Sequence, residues 1–296
     1  MIRRILSIAA LMLASLAASA QSASFVNLAD NARRMALGGA DAAYSVSKIL
    51  DDSFKGSADA TYVMWQPQAL GNNIVMLDGY FMVADKFALS AGGKFNMYKP
   101  YETVNQQGNP AGSFTPSEMM GFLGFHYGVN DNLALVADIK FVSSKLAAKY
   151  AGQAIGADLG LAYDIDGLVL AFTARNVGTK ITYSSSVQSN LPMTVLLGAE
   201  KSIDMGDNAL DFAVDAGYMP LHSCMVAKAG AEFSIQRIFD IRAGFHFGSN
   251  KAIEPSYATV GIGANVNVVR LGFAYFIAGG DSPLKNTLAF SVGAQF

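Results

Sequence analysis

Charge is scarce in this chain: 21 Lys+Arg and 23 Asp+Glu make up 15% of its 296 residues, against about 25% for an average soluble domain. With 52% hydrophobic residues and a formal net charge of −2, this excludes a disordered chain and a nucleic-acid-binding one. A single cysteine, Cys224, excludes a disulfide framework. Three histidines with no His-x-x-x-His spacing offer no metal site, and the glycines form no phosphate or dinucleotide loop. No apolar run after the first twenty residues approaches the roughly 18 that a membrane-spanning helix needs. Abundant are 29 Gly, 19 Phe and 12 Tyr, so the chain is apolar overall without apolar runs.

The first segment, MIRRILSIAALMLASLAASA, sets Arg3 and Arg4 before an apolar stretch and ends Ala18-Ser19-Ala20. It reads as a secretory signal (residues 1–20) cleaved before Gln21. No Cys follows the cleavage point, which argues against a lipid anchor. Loss of Arg3 and Arg4 leaves 19 basic against 23 acidic residues, a charge of −4.

From Asn73 onward apolar residues recur at every second position, the period of a strand with different surroundings on its two faces. Between Arg237 and Gly248, Phe239, Ile241, Ala243, Phe245 and Phe247 share one face while Asp240, Arg242, Gly244 and His246 share the other. Such segments run about 9 to 11 residues, the span of a tilted strand across a bilayer, where soluble strands average about 5 to 6. A secreted sandwich would alternate too, but with shorter strands. Thirteen strands can be traced, from 73–83 to 287–296, and the gaps between them alternate in width. Tight turns such as Asn130-Asp131-Asn132 and Asp166-Gly167 alternate with wide loops such as Lys99 to Glu118. With the terminal Phe296 on the periplasmic side, every tight turn is periplasmic and every wide loop is outside, the pattern of bacterial outer-membrane barrels. These barrels have even strand numbers, so the reading is all-β: a transmembrane antiparallel barrel of about fourteen strands over 61–296. The missing strand is expected at Thr61 to Gln68, unless the N-terminal segment threads the lumen instead. Residues 21–60 form a plug, in which Asp30 caps a helix from Asn31 to Leu37 that Gly38-Gly39 end in left-handed geometry.

The polar parity of the strands carries Asp138, Lys140, Asp158, Arg175, Glu200, Asp211, Asp215, Lys228, Glu232, Asp240 and Arg242. A midplane Lys or Arg facing lipid costs roughly 2–4 kcal/mol, so these are lumenal charges. Their mixed sign suits pairing that stiffens the barrel and holds the plug; Arg33 and Arg34 either pair with those carboxylates or are solvated at the periplasmic rim. Tyr80, Tyr98, Tyr127, Tyr163, Tyr218, Tyr257 and Trp65 fall near strand ends, where aromatic girdles lie. His126 and His246 take the inward parity and His222 an outer loop. His222 beside Ser223 does not make a hydrolase pair, since adjacent loop residues do not converge as nucleophile and base. The expectation is a non-catalytic protein with no cofactor and no metal, its outer loop Lys99 to Glu118 being the surface for a partner.

Several patterns in order resemble the PorV/PorQ family of outer-membrane barrels, which are similar to FadL-type long-chain fatty acid transporters. Near the start is Ala32-Arg33-Arg34-Met35-Ala36-Leu37-Gly38-Gly39-Ala40. Gly112 to Glu118, Lys140 to Leu146 and Gly156 to Tyr163 follow. The most specific piece is Arg175-Asn176-Val177-Gly178, where Asn-x-Gly closes a strand and Leu191-Pro192 reopens the next. The hatch motif Asn-Pro-Ala is altered to Gln66-Pro67-Gln68-Ala69, so Pro67 stands in changed company. The resemblance implies a Bacteroidota outer-membrane protein and an accessory or cargo-handling role in type IX secretion. Its implied partners are outer-membrane lipid, secreted cargo with C-terminal signal domains, and secretion subunits. The alternative is a FadL-like passive transporter of hydrophobic small molecules.

Overall fold

Alternating faces need two solvents, and a closed cylinder supplies them. The computed structural model describes residues 23–51, 53–67, 71–105, 107–249 and 254–296; the leader and its cleavage site lie outside them. Two short helices, α1 (Ala32–Ala36) and α2 (Ala42–Ser47), precede the strands β1 (Gly56–Trp65), β2 (Asn72–Ala84), β3 (Phe87–Met97), β4 (Tyr101–Val104), β5 (Pro110–Phe114) and β6 (Ser117–Gly128). Next come β7 (Leu133–Ala147), β8 (Tyr150–Ile165), β9 (Leu168–Gly178), β10 (Ile181–Thr182), β11 (Gln188–Ser189) and β12 (Thr194–Met205). The series ends with β13 (Asn208–Met219), β14 (Cys224–Ile235), β15 (Phe239–Phe247), β16 (Tyr257–Val266), β17 (Val269–Ile277) and β18 (Leu288–Gln295). Fourteen of these close into an antiparallel barrel in which β1 pairs with both β2 and β18. Strands β4–β5 and β10–β11 are small hairpins within the wide loops. No helix among the described residues is long and apolar enough to cross a membrane.

The fourteenth strand is Gly56–Trp65 rather than Thr61 to Gln68. Its alternation is faint in sequence because Ala58 and Ala60, its outward residues in the lower half, are as small as its inward Ser57. Barrel closure settles its position: the N–H groups of Lys55 and Gly56 donate to the carbonyl of Phe296 at 2.7 and 2.8 Å, and the Phe296 N–H returns to Gly56 at 2.9 Å. An N-terminal segment inside the lumen accompanies this strand, so both of the alternatives expected for the missing strand are present. Strands β7 and β8, at 15 and 16 residues, overshoot the bilayer by several residues at the outer end.

The aromatics divide between the faces. Tyr127, Tyr163 and Tyr218 point outward at strand ends, half exposed, as a girdle requires. Trp65, Tyr80 and Tyr257 are instead buried in the lumen, and the Tyr98 hydroxyl donates to buried Glu118. Proximity to a strand end gives height in the membrane; only parity gives the face, and Tyr80 and Tyr257 share the parity of the inward residues.

Candidate functional site: the plugged lumen

Helix α1 begins one residue later than expected. Asn31, in extended conformation, is the cap and its side-chain oxygen accepts the Arg34 N–H at 3.0 Å. Asp30 instead reaches the wall and pairs with Lys94 of β3 at 3.0 Å. Burial alone would raise the Asp30 carboxyl, but Lys94 outweighs it and holds the group below the usual carboxylate range. Gly38 and Gly39 adopt φ of 70° and 80° and end the helix, as their sequence position implies.

The helix rests on a floor of glycines that the sequence gives no reason to single out. Gly230, Gly244, Gly261 and Gly272 lie on the inward face of β14 to β17. A Cβ on Gly244 would sit 2.2 Å from the Gly38 nitrogen, and one on Gly230 would sit 2.5 Å from the Leu37 Cα. A Cβ on Gly261 would meet that of Ala36 at 2.5 Å. Thr259 of β16 fills the remaining need: its hydroxyl donates to the Ala36 carbonyl at 2.7 Å and accepts the Gly38 N–H at 3.1 Å.

Charges fasten the plug around its circumference. Arg33 makes a bidentate bond to Glu232, Nε to Oε2 at 2.9 Å and Nη2 to Oε1 at 2.7 Å, and reaches Asp211 at 3.3 Å. Arg34 grips both oxygens of Glu200 at 3.0 Å while its guanidinium lies 3.7 Å over the Tyr44 ring. Arg242 pairs with Glu232 and Asp240 on the wall itself. Asp215 of β13 accepts the N–H groups of Asp41 (3.0 Å) and Ala42 (3.2 Å), so a wall carboxylate caps α2. Arg175 of β9 binds Asp41 at 2.8 Å and the Ser45 hydroxyl at 3.0 Å. Asp59 and Arg270, which pair at 2.9 Å across the closing seam, are not singled out by the sequence.

The Asn-x-Gly segment makes a bulge. Asn176 has φ 56°, the register between β8 and β9 shifts there, and its side chain accepts from Lys140 at 2.9 Å and donates to the Pro192 carbonyl at 3.2 Å. Its own N–H donates to Asp158, which pairs with Lys140 at 2.6 Å. Gly178 is required because a Cβ would strike the Ile155 carbonyl at 2.2 Å. Pro67 is not part of the plug; it lies just beyond β1, at the outer mouth.

Two cavities remain beside the plug. The outer one, about 50 Å³, is walled by Leu28, Met35, Trp65, Leu196, Val226, Tyr257 and Leu284, with Arg175, Lys228, His246 and Glu254 among its polar members. That is room for a few water molecules. His246 stacks on Tyr257 at 4.7 Å, and both its ring nitrogens lack a hydrogen-bond partner among the described residues. A second, about 80 Å³ and polar, lies between the plug and β3 to β9, among Asp30, Lys94, Asp138, Lys140 and Arg175. His126 bonds Ser90 at 3.0 Å inside the wall, and His222 lies in an outer-loop turn. The described residues contain no cluster of three or more metal-ligating side chains.

A third hollow, about 860 Å³ and open to the lipid side, lies across β18, β1, β2, β3 and β6. Outward Ala58, Ala60, Ala91, Gly93 and Gly121 leave it empty, and Leu77, Phe95, Met119 and Phe141 ring it. Inward-parity Asp59, Asp78, Gly92 and Gly293 also border it, so the wall is one backbone thick there.

No family model and no curated protein matches the chain in sequence. Solved structures match it in shape. The toluene transporter TbuX of Ralstonia pickettii aligns with a TM-score of 0.62 at 11% identity, covering 92% of this chain and 100% of that one. A Pseudomonas aeruginosa FadL homologue gives 0.55 at 11% identity over 90% and 98% of the two chains. CymD, a monoaromatic hydrocarbon channel, gives 0.53 at 11% identity over 93% and 99%. A fourteen-stranded cylinder filled by its own N-terminal segment, the chain has the fold of FadL-type outer-membrane barrels, which are its structural neighbours.

Proposed function

We propose that the protein is a non-catalytic, passive conduit for hydrophobic small molecules, exported by its N-terminal leader and inserted in the outer membrane. The observation that carries this reading is the apolar hollow of about 860 Å³ in the wall; a separate, mostly apolar lumenal cavity lies beneath the outer loops. A hydrophobic solute gains by leaving water for either surface, and a wall one backbone thick separates the hollow from the lumen. Neighbours of the same fold are named as a toluene transporter and a monoaromatic hydrocarbon channel, which gives the substrate class to try first.

The test is uptake of labelled toluene by liposomes containing the purified barrel, compared with A58W and A91W, whose indoles fill the hollow from its lipid side. Uptake above empty liposomes that both variants reduce is the expected result. Equal uptake by empty and loaded liposomes, or by wild type and both variants, removes the reading.

The second reading, an accessory of type IX secretion as the PorV/PorQ resemblance implies, draws on a different observation. The plug is tied to the β9 to β14 side of the wall through Arg33, Arg34 and Arg175 and to β3 on the far side through Asp30–Lys94, while the β4–β5 hairpin and the long ends of β7 and β8 stand above the outer mouth. A filled lumen with a raised rim suits a partner-binding barrel. Recovery of proteins sharing a C-terminal signal domain, or of secretion subunits, with the tagged barrel from detergent-solubilised outer membranes favours it; recovery of the barrel alone with bound apolar compounds favours the conduit.

A further inference from the structure

The two rims of the barrel carry opposite charge. On the periplasmic rim Asp85, Asp131, Asp164, Asp166, Asp204 and Asp207 face Lys55, Lys86, Lys201 and Arg237. Two of those cations are already engaged, Arg237 with Asp204 at 2.7 Å and Lys201 with the Asp166 carbonyl at 2.6 Å. The outer rim reverses the balance: Lys99, Lys145, Lys149, Lys180 and Lys285 are exposed there, with Glu102 and Asp281 as exposed acids among the described residues. The chain as a whole is acidic, so this separation is not composition.

Three of the outer lysines gather on one side. Lys145 lies on β7 opposite Ala151 of β8, Lys149 is in the turn joining those strands, and Lys180 follows Thr179, whose hydroxyl accepts the Ile155 N–H of β8 at 3.1 Å. None of the three has a carboxylate within 4 Å among the described residues, whereas the lumenal cations are mostly paired. Lys145 instead lies 5.6 Å above the Phe114 ring, and Tyr101 pins the β4–β5 hairpin to this corner by donating to the Leu146 carbonyl at 3.2 Å.

Height and direction say what these lysines meet. Lys145 shares the outward parity of Leu135, Ala137, Ile139 and Phe141, so it stands over lipid and not over the lumen. Directly below it, Phe141 and Ile155 pair across β7 and β8, 41% and 60% exposed, with Val177 of β9 beside them. A lysine above an apolar band extends its stem along that band and its ammonium toward the headgroups. One molecule satisfies both levels: acyl chains against Phe141, Ile155 and Val177, and phosphate beneath the three ammonium groups.

We propose that this corner binds the phosphorylated headgroup of an outer-leaflet glycolipid, with Lys145, Lys149 and Lys180 as its phosphate contacts. The proposal does not depend on what crosses the lumen. It rests on charge complementarity at a fixed height, since a soluble acidic partner would not need Lys145 to point sideways over the apolar wall. Phosphate attraction here is of the kind that draws polybasic segments to anionic membrane surfaces.

The experiment is native mass spectrometry of the full barrel, purified in an uncharged detergent and titrated with diphosphoryl lipid A. The same titration is run with lipid A stripped of its phosphates and with inorganic phosphate alone. K145E/K149E/K180E is compared with K55E/K86E on the other rim, and heat-modifiable gel migration verifies that each variant is folded. Diphosphoryl lipid A is expected to bind wild type and K55E/K86E alike and the triple charge reversal about tenfold or more weakly, while the stripped lipid binds all three equally weakly. If K145E/K149E/K180E does not fold, K145Q/K149Q/K180Q replaces it with the same expectation in direction. Equal binding by folded wild type and triple variant, equal binding of both lipids, or inorganic phosphate binding as tightly as the lipid would each overturn the proposal.

Discussion

Gly244 shows how a residue without a side chain governs this molecule. A methyl group there would sit 2.2 Å from the Gly38 backbone nitrogen, and neither strand nor plug can yield without breaking bonds on both sides. G244A is expected to cost roughly 1–3 kcal/mol through overpacking and to release α1 from its floor. Limited trypsinolysis in detergent reads this directly, because cleavage after Arg33 or Arg34 requires the plug to leave the wall. Asn176 permits a graded test. N176G keeps the left-handed backbone and loses the bonds to Lys140 and Pro192, at roughly 1.5–3 kcal/mol for a hydrogen bond to a charged group. N176A adds about 1–2 kcal/mol of left-handed strain. Urea unfolding midpoints in lipid should fall in the order wild type, N176G, N176A; equal midpoints for the two variants would mean that backbone handedness is not what selects asparagine there. Asn176 was legible from its Asn-x-Gly setting, while Gly244 was not. On the polar face of a strand a glycine reads simply as the absence of a residue, and the space it opens belongs to a helix two hundred positions away.

Strands were legible as elements because a two-residue period survives local irregularity, and a gap pattern fixes which ends share a side of the membrane. β1 was legible only in its upper part, from Thr61, because its lower outward positions, Ala58 and Ala60, contrast little with their inward neighbours. The inward parity located Lys140, Asp158, Asp211, Asp215, Lys228, Glu232, Asp240 and Arg242 on the lumen side, yet parity is silent on partners. That Arg33 meets Glu232 and Arg175 meets Asp41 depends on where the plug lies along the axis. The contact of α2 with the wall has its own pH dependence. Burial pushes the Asp41 carboxyl up, but Arg175 and then Lys228 pull it down further, so its pKa is lower folded than unfolded. The stabilisation is therefore complete above the unfolded value near 3.9 and is lost as pH falls through the lower folded value. Hydrogen exchange over residues 41–47 should stay slow from neutral pH to about pH 5 and quicken only below about pH 4, whereas D41N should exchange fast throughout. Quickening of the wild type near neutral pH would point to a different titrating group.

For the whole molecule, the ties of the plug to several strands predict a closed pore. Wild-type barrel in planar bilayers should show only brief, small conductance, and R33A/R34A, which frees Glu200 and Glu232 from the plug, should show long-lived openings at least severalfold larger. Unchanged conductance in that variant would mean that the glycine floor alone holds the plug. The same floor bears on how the cylinder is made. Gly230, Gly244, Gly261 and Gly272 all belong to β14 to β17, the C-terminal half-sheet, and the strand that follows the plug, β1, is the one that closes onto β18. The N-terminal segment can therefore lie down on an open, curling sheet before the seam zips, and never has to be threaded into a finished tube. A seam that closes over the docked plug would trap it by geometry, in the manner of a ship assembled inside its bottle, with the hydrogen bonds between Gly56 and Phe296 as the cork.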